Sequence, residues 1–438
     1  MRSRQDHEVR ALPASSEAGE SRRGLQPARR DLLMGLAGGV MGLGLGSQAR
    51  ATPAETLAPG DDGTQDSQPF YGLHQSGVIT PQPAAALIVS FDVLAEDRAG
   101  LQRLFRTLTE RVAFLMKGGE AAALDQRYPP PDSGLLGPNV FPDNLTVTVA
   151  LGASLFDDRY GLQKVRPTRL VSMEQFPNDA LDARLCHGDV ELQFCSNTAE
   201  TNIHALRDIL RHTPDLLALR WKIDGFLPPH TIKKLGKETV RNLLGFKDGT
   251  ANLDASDETL MNEIVWTQPN ADEPAWTSGG TYQVIRIIRM FVEHWDRTAL
   301  VEQQQIIGRE KAGGAPLTYP HEHDAPDYAA DPKGARVPLT AHIRLANPRT
   351  PGTEASRILR RGYNYSRGLT DAGQLDMGLL FVCFQADLAA GFLAVQSRLN
   401  GERLEEYIKP VGGGYFFVLP GVPSKDDFFA EGLLRAAA

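Results

Sequence analysis

Only three cysteines, Cys186, Cys195 and Cys383, occur in 438 residues. An odd count gives no even disulfide framework and the spacing is not that of a metal site; Cys186 and Cys195 could pair only by chance of geometry, and core thiols are the favoured reading. Long apolar runs are also missing. The one stretch available, Leu32 to Gly46, is too short and too rich in glycine to be read as a membrane span. Positive charge is not in excess either: 46 Lys and Arg stand against 54 Asp and Glu, a net charge of −8. That balance argues against nucleic acid or an anionic membrane surface as the partner. What remains, 42% hydrophobic and 23% charged residues, is the composition of an ordinary globular enzyme with one large or two medium domains.

The short apolar stretch makes sense with its flanks. Arg22-Arg23 and Arg29-Arg30 precede it, and Ala49-Arg50-Ala51 follows with small residues where a signal peptidase reads them. This order describes a secretory leader over residues 1–51. Arg29-Arg30 abuts the weakly hydrophobic run, as in a twin-arginine signal, a route that exports folded protein into the periplasm. Its removal takes away eight arginines and five acidic residues, which deepens the net charge to −11. Residues 52–70, rich in Pro, Gly and Asp, read as a flexible linker.

From Tyr71 the chain alternates strand and helix patterns. Ala86 to Val93 reads as a buried strand, and Arg98 to Met116 carries helical apolar spacing at Leu101, Leu104, Phe105 and Leu108. Strands at Leu145–Leu151 and Val190–Cys195 come next. A helix over Ala199–Leu210, capped by Asn197 or Thr198, and a strand near Leu219–Ile223 complete the first half. The second half reads as a strand at Tyr282–Val292 and a helix from Asp296 to Ile307. After a long loop come a strand at Leu379–Phe384, a helix at Leu388–Leu399 and a strand at Tyr415–Leu419. Phe91-x-Val93 with Asp97-Arg98-x-x-Leu101 has a faint echo in Phe291-Val292 with Asp296-Arg297-x-x-Leu300. The reading is α+β: tandem ferredoxin-like β-α-β-β-α-β halves with antiparallel sheets, over 71–240 and 241–438. The loop Lys311–Pro338, with His321 and His323, is long enough to be functional. An exposed polar loop is favoured there over a metal site.

Three segments carry chemistry-bearing residues. Gly245-Phe246-Lys247-Asp248-Gly249-Thr250 is either an Asp-Gly turn or a close backbone approach to a flat ligand with one carboxylate projecting. Ala341-His342-Ile343-Arg344-Leu345-Ala346-Asn347-Pro348-Arg349 holds one histidine, structural or ligating. Ile358 to Tyr365, with Arg360-Arg361-Gly362, reads by itself as an exposed basic turn after a short helix. Together and in this order, these segments resemble the signature of the dye-decolourising peroxidase family of haem enzymes. The resemblance extends through His74–Pro81, Ile307-Gly308-Arg309, Asp371–Phe381 and Gly412–Phe416. Within the family it is similar to the exported bacterial branch called deferrochelatase/peroxidase, associated with ferrous-iron uptake.

The resemblance implies one haem b per chain in a pocket of the C-terminal half. His342 corresponds to the axial iron ligand, Asp248 to the distal acid–base and Arg360 to the distal arginine. Gly249, Thr250, Ala251, Asn347, Pro348 and Arg349 match haem-lining segments, Arg309 suits a propionate, and Glu354 is the acceptor expected for the His342 N–H. A carboxylate where other peroxidases use histidine implies an acidic optimum. The implied reaction uses hydrogen peroxide to oxidise organic donors such as dyes or porphyrinogens, or releases iron from haem with the porphyrin intact. The other class of reading is a periplasmic haem carrier or a partner of an iron permease; a carrier has no need of Asp248 and Arg360. Homodimer formation is implied by the same resemblance. Trp221, Trp266, Trp276, Trp295, Tyr363 and Tyr365 could relay electrons but read first as packing.

Overall fold

The computed structural model describes residues 63–229, 239–269 and 272–438. The leader expected over 1–51 and residues 52–62 of the expected linker lie outside the described residues. From Gly63 onward the chain is tied down. Asp143 N donates to Thr64 O at 2.8 Å, Asn144 N to Asp66 O at 2.6 Å, and Gln68 Nε2 to Asn144 Oδ1 at 2.6 Å. The polar residues of 63–70 therefore serve hydrogen bonds to the Asp143–Asn144 turn, and the linker expectation does not extend to them.

The first half runs β1 (Ala85–Val93), α1 (Arg98–Lys117), β2 (Thr146–Gly152), β3 (Val190–Ser196), α2 (Ala199–His212) and β4 (Leu217–Phe226). The second supplies β5 (Thr281–Met290), β6 (Tyr363–Leu369), β7 (Leu375–Gln385) and β8 (Ile408–Val418). Each half arranges its strands antiparallel in one order, β2-β3-β1-β4 and β6-β7-β5-β8, which is the ferredoxin-like arrangement. The halves join edge to edge. Phe416, Phe417 and Val418 of β8 pair with Gly152, Leu151 and Ala150 of β2, while Phe226 of β4 pairs with Asn364 of β6. With β5 also paired to β7, the eight strands close into a barrel.

Closure explains why β1 reads as a buried strand with apolar residues in succession from Ala85 to Val89: it is buried on both faces. Ala86 and Ile88 point inward with Trp221, Ile223, Ile285 and Phe416, whereas Leu87, Val89 and Phe91 meet the outer helices. α1 answers with a stripe of Leu101, Leu104, Phe105, Leu108, Val112 and Leu115, and its start is set by Asp97, which accepts from Gly100 N at 2.8 Å. Thr198 occupies the cap position of α2, but its hydroxyl bonds Asp143 Oδ2 at 2.6 Å instead of a helix N–H.

Three local expectations change. The helix expected from Asp296 to Ile307 begins only at α3 (Leu300–Ile307), and a separate helical turn, Val292–Trp295, precedes it. Gln303 Nε2 donates to Trp295 O at 2.8 Å and Thr298 O at 3.0 Å, which satisfies the carbonyls left by the break. Asp97 caps a helix start while Asp296 follows a helix end, so their matching sequence positions do different work. The helix expected over Leu388–Leu399 opens with a π turn at Ala389–Leu393 and continues as the α-helix Ala394–Leu399. Ile358–Tyr365 is no exposed turn. Leu359–Arg360 pairs with Phe384 and Cys383 of β7, Arg361 is buried, and Tyr363 and Tyr365 begin β6 inside the barrel.

Candidate active site

The residues singled out by sequence gather on one cavity of about 290 Å³ on the second half. Asp248 ends a small hairpin: its N–H donates to Val240 O at 2.8 Å, and Asn242 N donates to Phe246 O at 2.9 Å. Asn242 Oδ1 accepts from Leu244 N and Phe246 N, which closes the turn. Gly249 follows with φ +127°, a backbone state that side-chain-bearing residues rarely adopt, so the chain can reverse immediately after the carboxylate.

Arg360 enters from the short strand beside β7. Its main chain is clipped on both sides by Asn252, whose Oδ1 accepts from Arg360 N at 2.9 Å and whose Nδ2 donates to Arg360 O at 2.7 Å. So held, Arg360 Nη1 reaches Asp248 Oδ1 at 2.6 Å. Asp248 Oδ2 has no partner among the described residues. A smaller cavity of about 40 Å³ shares Asp248, Gly249, Asn242 and Arg360 and adds Gln82, Tyr363 and Asn364.

His342 is the first residue of a five-residue helix, α4 (His342–Ala346). So short a helix needs external support. Arg398 donates from Nε to Leu345 O at 3.2 Å and from Nη2 to Ala346 O at 3.1 Å, and Arg344 Nη1 reaches Asp331 Oδ2 at 3.1 Å and Val337 O at 2.8 Å. His342 Nδ1 lies 2.8 Å from Glu402 Oε2 and 3.1 Å from Oε1. With the Glu402 carboxyl oxygens as acceptors, Nδ1 is the donating nitrogen, which leaves Nε2 as the ring nitrogen not engaged by Glu402. Burial pushes the ring's pKa down, but the Glu402 carboxylate, by charge and hydrogen bond, brings the balance out above the ordinary histidine value. Glu354, expected as this acceptor, is exposed and pairs with Arg357 at 3.2 Å. No spacing in the sequence marks Glu402, which lies 60 residues beyond His342.

Gly249, Thr250, Ala251, Arg309, Asn347 and Arg349 also line the cavity, while Pro348 stays off its wall. Arg309 is buried, with Nη1 donating to Gly314 O at 2.6 Å and to Glu322 O at 2.9 Å; its Nε and Nη2 have no partner among the described residues. Apolar wall comes from Met290, Ile307, Leu379, Phe381 and Leu404. A buried Arg286–Asp179 ion pair, unmarked in the sequence, joins the lining from both halves.

Such a cavity, with one histidine backed by a carboxylate and one aspartate held by an arginine, places the chain among known enzymes. Residues 75–227 match the N-terminal and residues 239–423 the C-terminal model of the Dyp-type peroxidases. The chain belongs to the Dyp-type peroxidase family. It is 58% identical to a deferrochelatase of Yersinia pseudotuberculosis, over 94% of this chain and 96% of that one. It is 57% identical to the deferrochelatase of Escherichia coli K12, over 94% and 97%. Solved Dyp-type structures are similar throughout the barrel. The peroxidase of Cellulomonas bogoriensis superposes with a TM-score of 0.76 at 35% identity, covering 85% of this chain and 99% of that one. Ferric DtpA of Streptomyces lividans gives 0.77 at 32%, covering 86% and 100%.

The tryptophans named from the sequence are tied into the fold. Trp221, Trp276 and Trp295 donate their indole N–H groups to His187 O, Val165 O and Leu244 O at 2.8, 2.8 and 2.9 Å, and Trp266 stacks on His74 at 3.8 Å. All three cysteines are buried free thiols. His321 and His323 are exposed, and among the described residues no group of three or more His, Cys, Asp or Glu is placed to hold a metal ion. Among them, too, no helix is long and apolar enough to cross a membrane.

Proposed function

We propose that this chain is a haem b peroxidase in which His342 is the axial ligand and the Asp248–Arg360 pair handles peroxide. The observation that carries the proposal is the convergence on one cavity of two oriented pairs, His342–Glu402 and Asp248–Arg360. The residues fit haem. His342 has Nδ1 fixed by a carboxylate, which leaves Nε2 as the nitrogen available to a metal, the arrangement that orients a metal-bound histidine. Arg309 and Arg349 present guanidinium groups suited to the propionates, and the wall between is apolar. Bound there, haem supplies the iron that takes up hydrogen peroxide and the oxidising equivalents passed on to a donor.

The protein's part is proton handling and charge. Asp248 Oδ2, unpartnered while Arg360 holds Oδ1, accepts a proton from peroxide and returns it to the departing oxygen. Arg360, permanently charged, stabilises the negative charge developing on that oxygen. A haem carrier would need His342 alone; the Asp248–Arg360 pair favours catalysis.

The deferrochelatase name of the 57–58% identical relatives supports a second activity at the same site, release of iron from haem with the porphyrin left intact. The leader supports periplasmic export by the twin-arginine route, and family resemblance supports a homodimer serving iron uptake. Two variants test the core of this reading. His342→Ala is expected to lose the Soret band of the purified protein, and Asp248→Asn to keep it while losing about 100-fold or more of peroxide-driven dye oxidation. Unchanged haem content in the first, or full activity in the second, overturns the respective assignment. Metal-free protoporphyrin fluorescence, followed with and without reductant, tests iron release; no fluorescence under either condition removes that activity.

A further inference from the structure

The loop containing His321 and His323 contributes to the site through the residue between them. Both histidines are exposed, and Glu322 turns the opposite way, with 15% of its side chain accessible. Its carboxylate is a hub. Oε2 receives Lys247 Nζ at 2.6 Å, Oε1 receives Thr250 Oγ1 at 2.9 Å, and Thr239 Oγ1 donates to the same Oε1. Its main-chain oxygen accepts from Arg309 Nη1 at 2.9 Å. The Lys247 and Thr250 contacts flank Asp248 in sequence, one residue before it and two after.

This bracketing matters because of what lies inside it. Gly249, at φ +127°, is the joint about which the carboxylate of Asp248 could swing, and a glycine joint imposes little of its own. An added Cβ there would meet nothing closer than Thr239 Cγ2 at 3.6 Å, so packing does not fix the joint either. Desolvation raises the pKa of Glu322, but the Lys247, Thr239 and Thr250 hydrogen bonds outweigh it and hold the group down to about 2. The latch is therefore anionic at any working pH.

We propose that Glu322 is a positioning residue for the peroxidase reaction: it latches both flanks of the Gly249 joint and so holds the Asp248 carboxylate against Arg360. The inference rests on the reading of Asp248 as the acid–base. Placement errors of about 1 Å at such a group cost on the order of 100-fold.

The test uses the haem-loaded full chain with Glu322→Gln, Glu322→Ala, Asp248→Asn and the doubles. Haem content and thermal midpoint are measured first, then the rate of cyanide association with the ferric protein. Cyanide binding needs a proton acceptor near the metal but no turnover. The expected result is native haem content with a 10- to 100-fold slower association in Glu322→Ala, no larger than the loss in Asp248→Asn, and no further loss in the doubles. Glu322→Gln, which can still hydrogen-bond both flanks, should retain more than Glu322→Ala. Equal rates in parent and Glu322 variants, additive losses in the doubles, or haem loss in Glu322→Gln as well as Glu322→Ala would overturn the proposal. If Asp248→Asn itself is unimpaired, it is the acid–base reading that fails.

Discussion

Glu191 shows how far one side chain can depart from its usual chemistry. It sits on β3 facing the barrel interior, fully buried, and neither carboxyl oxygen has a hydrogen-bond partner among the described residues. Burial pushes its pKa well above the ordinary carboxylate range, with the nearby Gln283 amide opposing only in part. The folded protein therefore holds it neutral, while the unfolded chain ionises it at the ordinary value. Below that value both states are protonated and the group costs nothing. As pH rises above it, stability falls by up to about 1.4 kcal/mol per pH unit until the folded-state value is reached. Glu191→Gln is expected to flatten the dependence of the thermal midpoint between pH 5 and 8; an unchanged slope would show that Glu191 is not the group responsible. At this scale the sequence exposes chemistry better than partnership. Asp248, His342 and Arg360 stand in recognisable segments, but Glu402, Asn252 and Glu322 act on them from positions 60, 108 and 72–75 residues away. Only folding brings such pairs together, so Glu354, near in sequence, was the wrong acceptor for His342.

Among the elements, α4 is the one on which the site depends most and the one least able to stand alone. It leans on Gly308, which ends α3 in the left-handed region at φ +94°. A Cβ on that glycine would lie 2.7 Å from Ile343 Cγ1 and 3.0 Å from Ala341 Cβ, the residues on either side of His342. Gly308→Ala thus adds backbone strain of about 1–2 kcal/mol and displaces α4. Lower haem occupancy at fixed haem concentration, together with a lower thermal midpoint, is expected. Full occupancy would mean that α4 is not seated on this glycine. Elements with one apolar face were legible: β1, α1, β3 and α2 fall within two residues of their sequence readings. β6 was not, because its buried half is only Tyr363, Asn364 and Tyr365 and its other half is exposed, so it shows no strand alternation, and it follows the basic Arg360-Arg361-Gly362.

For the whole molecule, the proposed cofactor and the proposed export route bear on each other. A haem taken up by this cavity, whose wall draws on both halves, would best be loaded as the chain folds, and the twin-arginine reading of Arg29-Arg30 would then carry the loaded protein across. Replacing both arginines by lysine is expected to leave haem-containing protein in the cytoplasmic fraction. Undiminished periplasmic protein would refute that route. The tandem α+β plan was readable because both halves open on a strand and helix pattern and close on strand, helix and strand patterns, although β6 itself carried no mark. Its closure into a barrel was not, since the seams rest on few pairings with no periodic mark: three between β8 and β2, one between β4 and β6.

Those seams bear on how the enzyme could be taken apart. Nearly all the site residues lie between Val240 and Glu405, which invites treating that half as a portable catalytic module. Cut free, however, it would present the edges of β8 and β6 as unpaired strand backbones, ready to pair with any neighbour and aggregate. The first half contributes little chemistry, yet without it the second has no finished boundary. Transplanting this activity into another scaffold therefore means moving the entire ring, including the half that supplies little of the cavity wall.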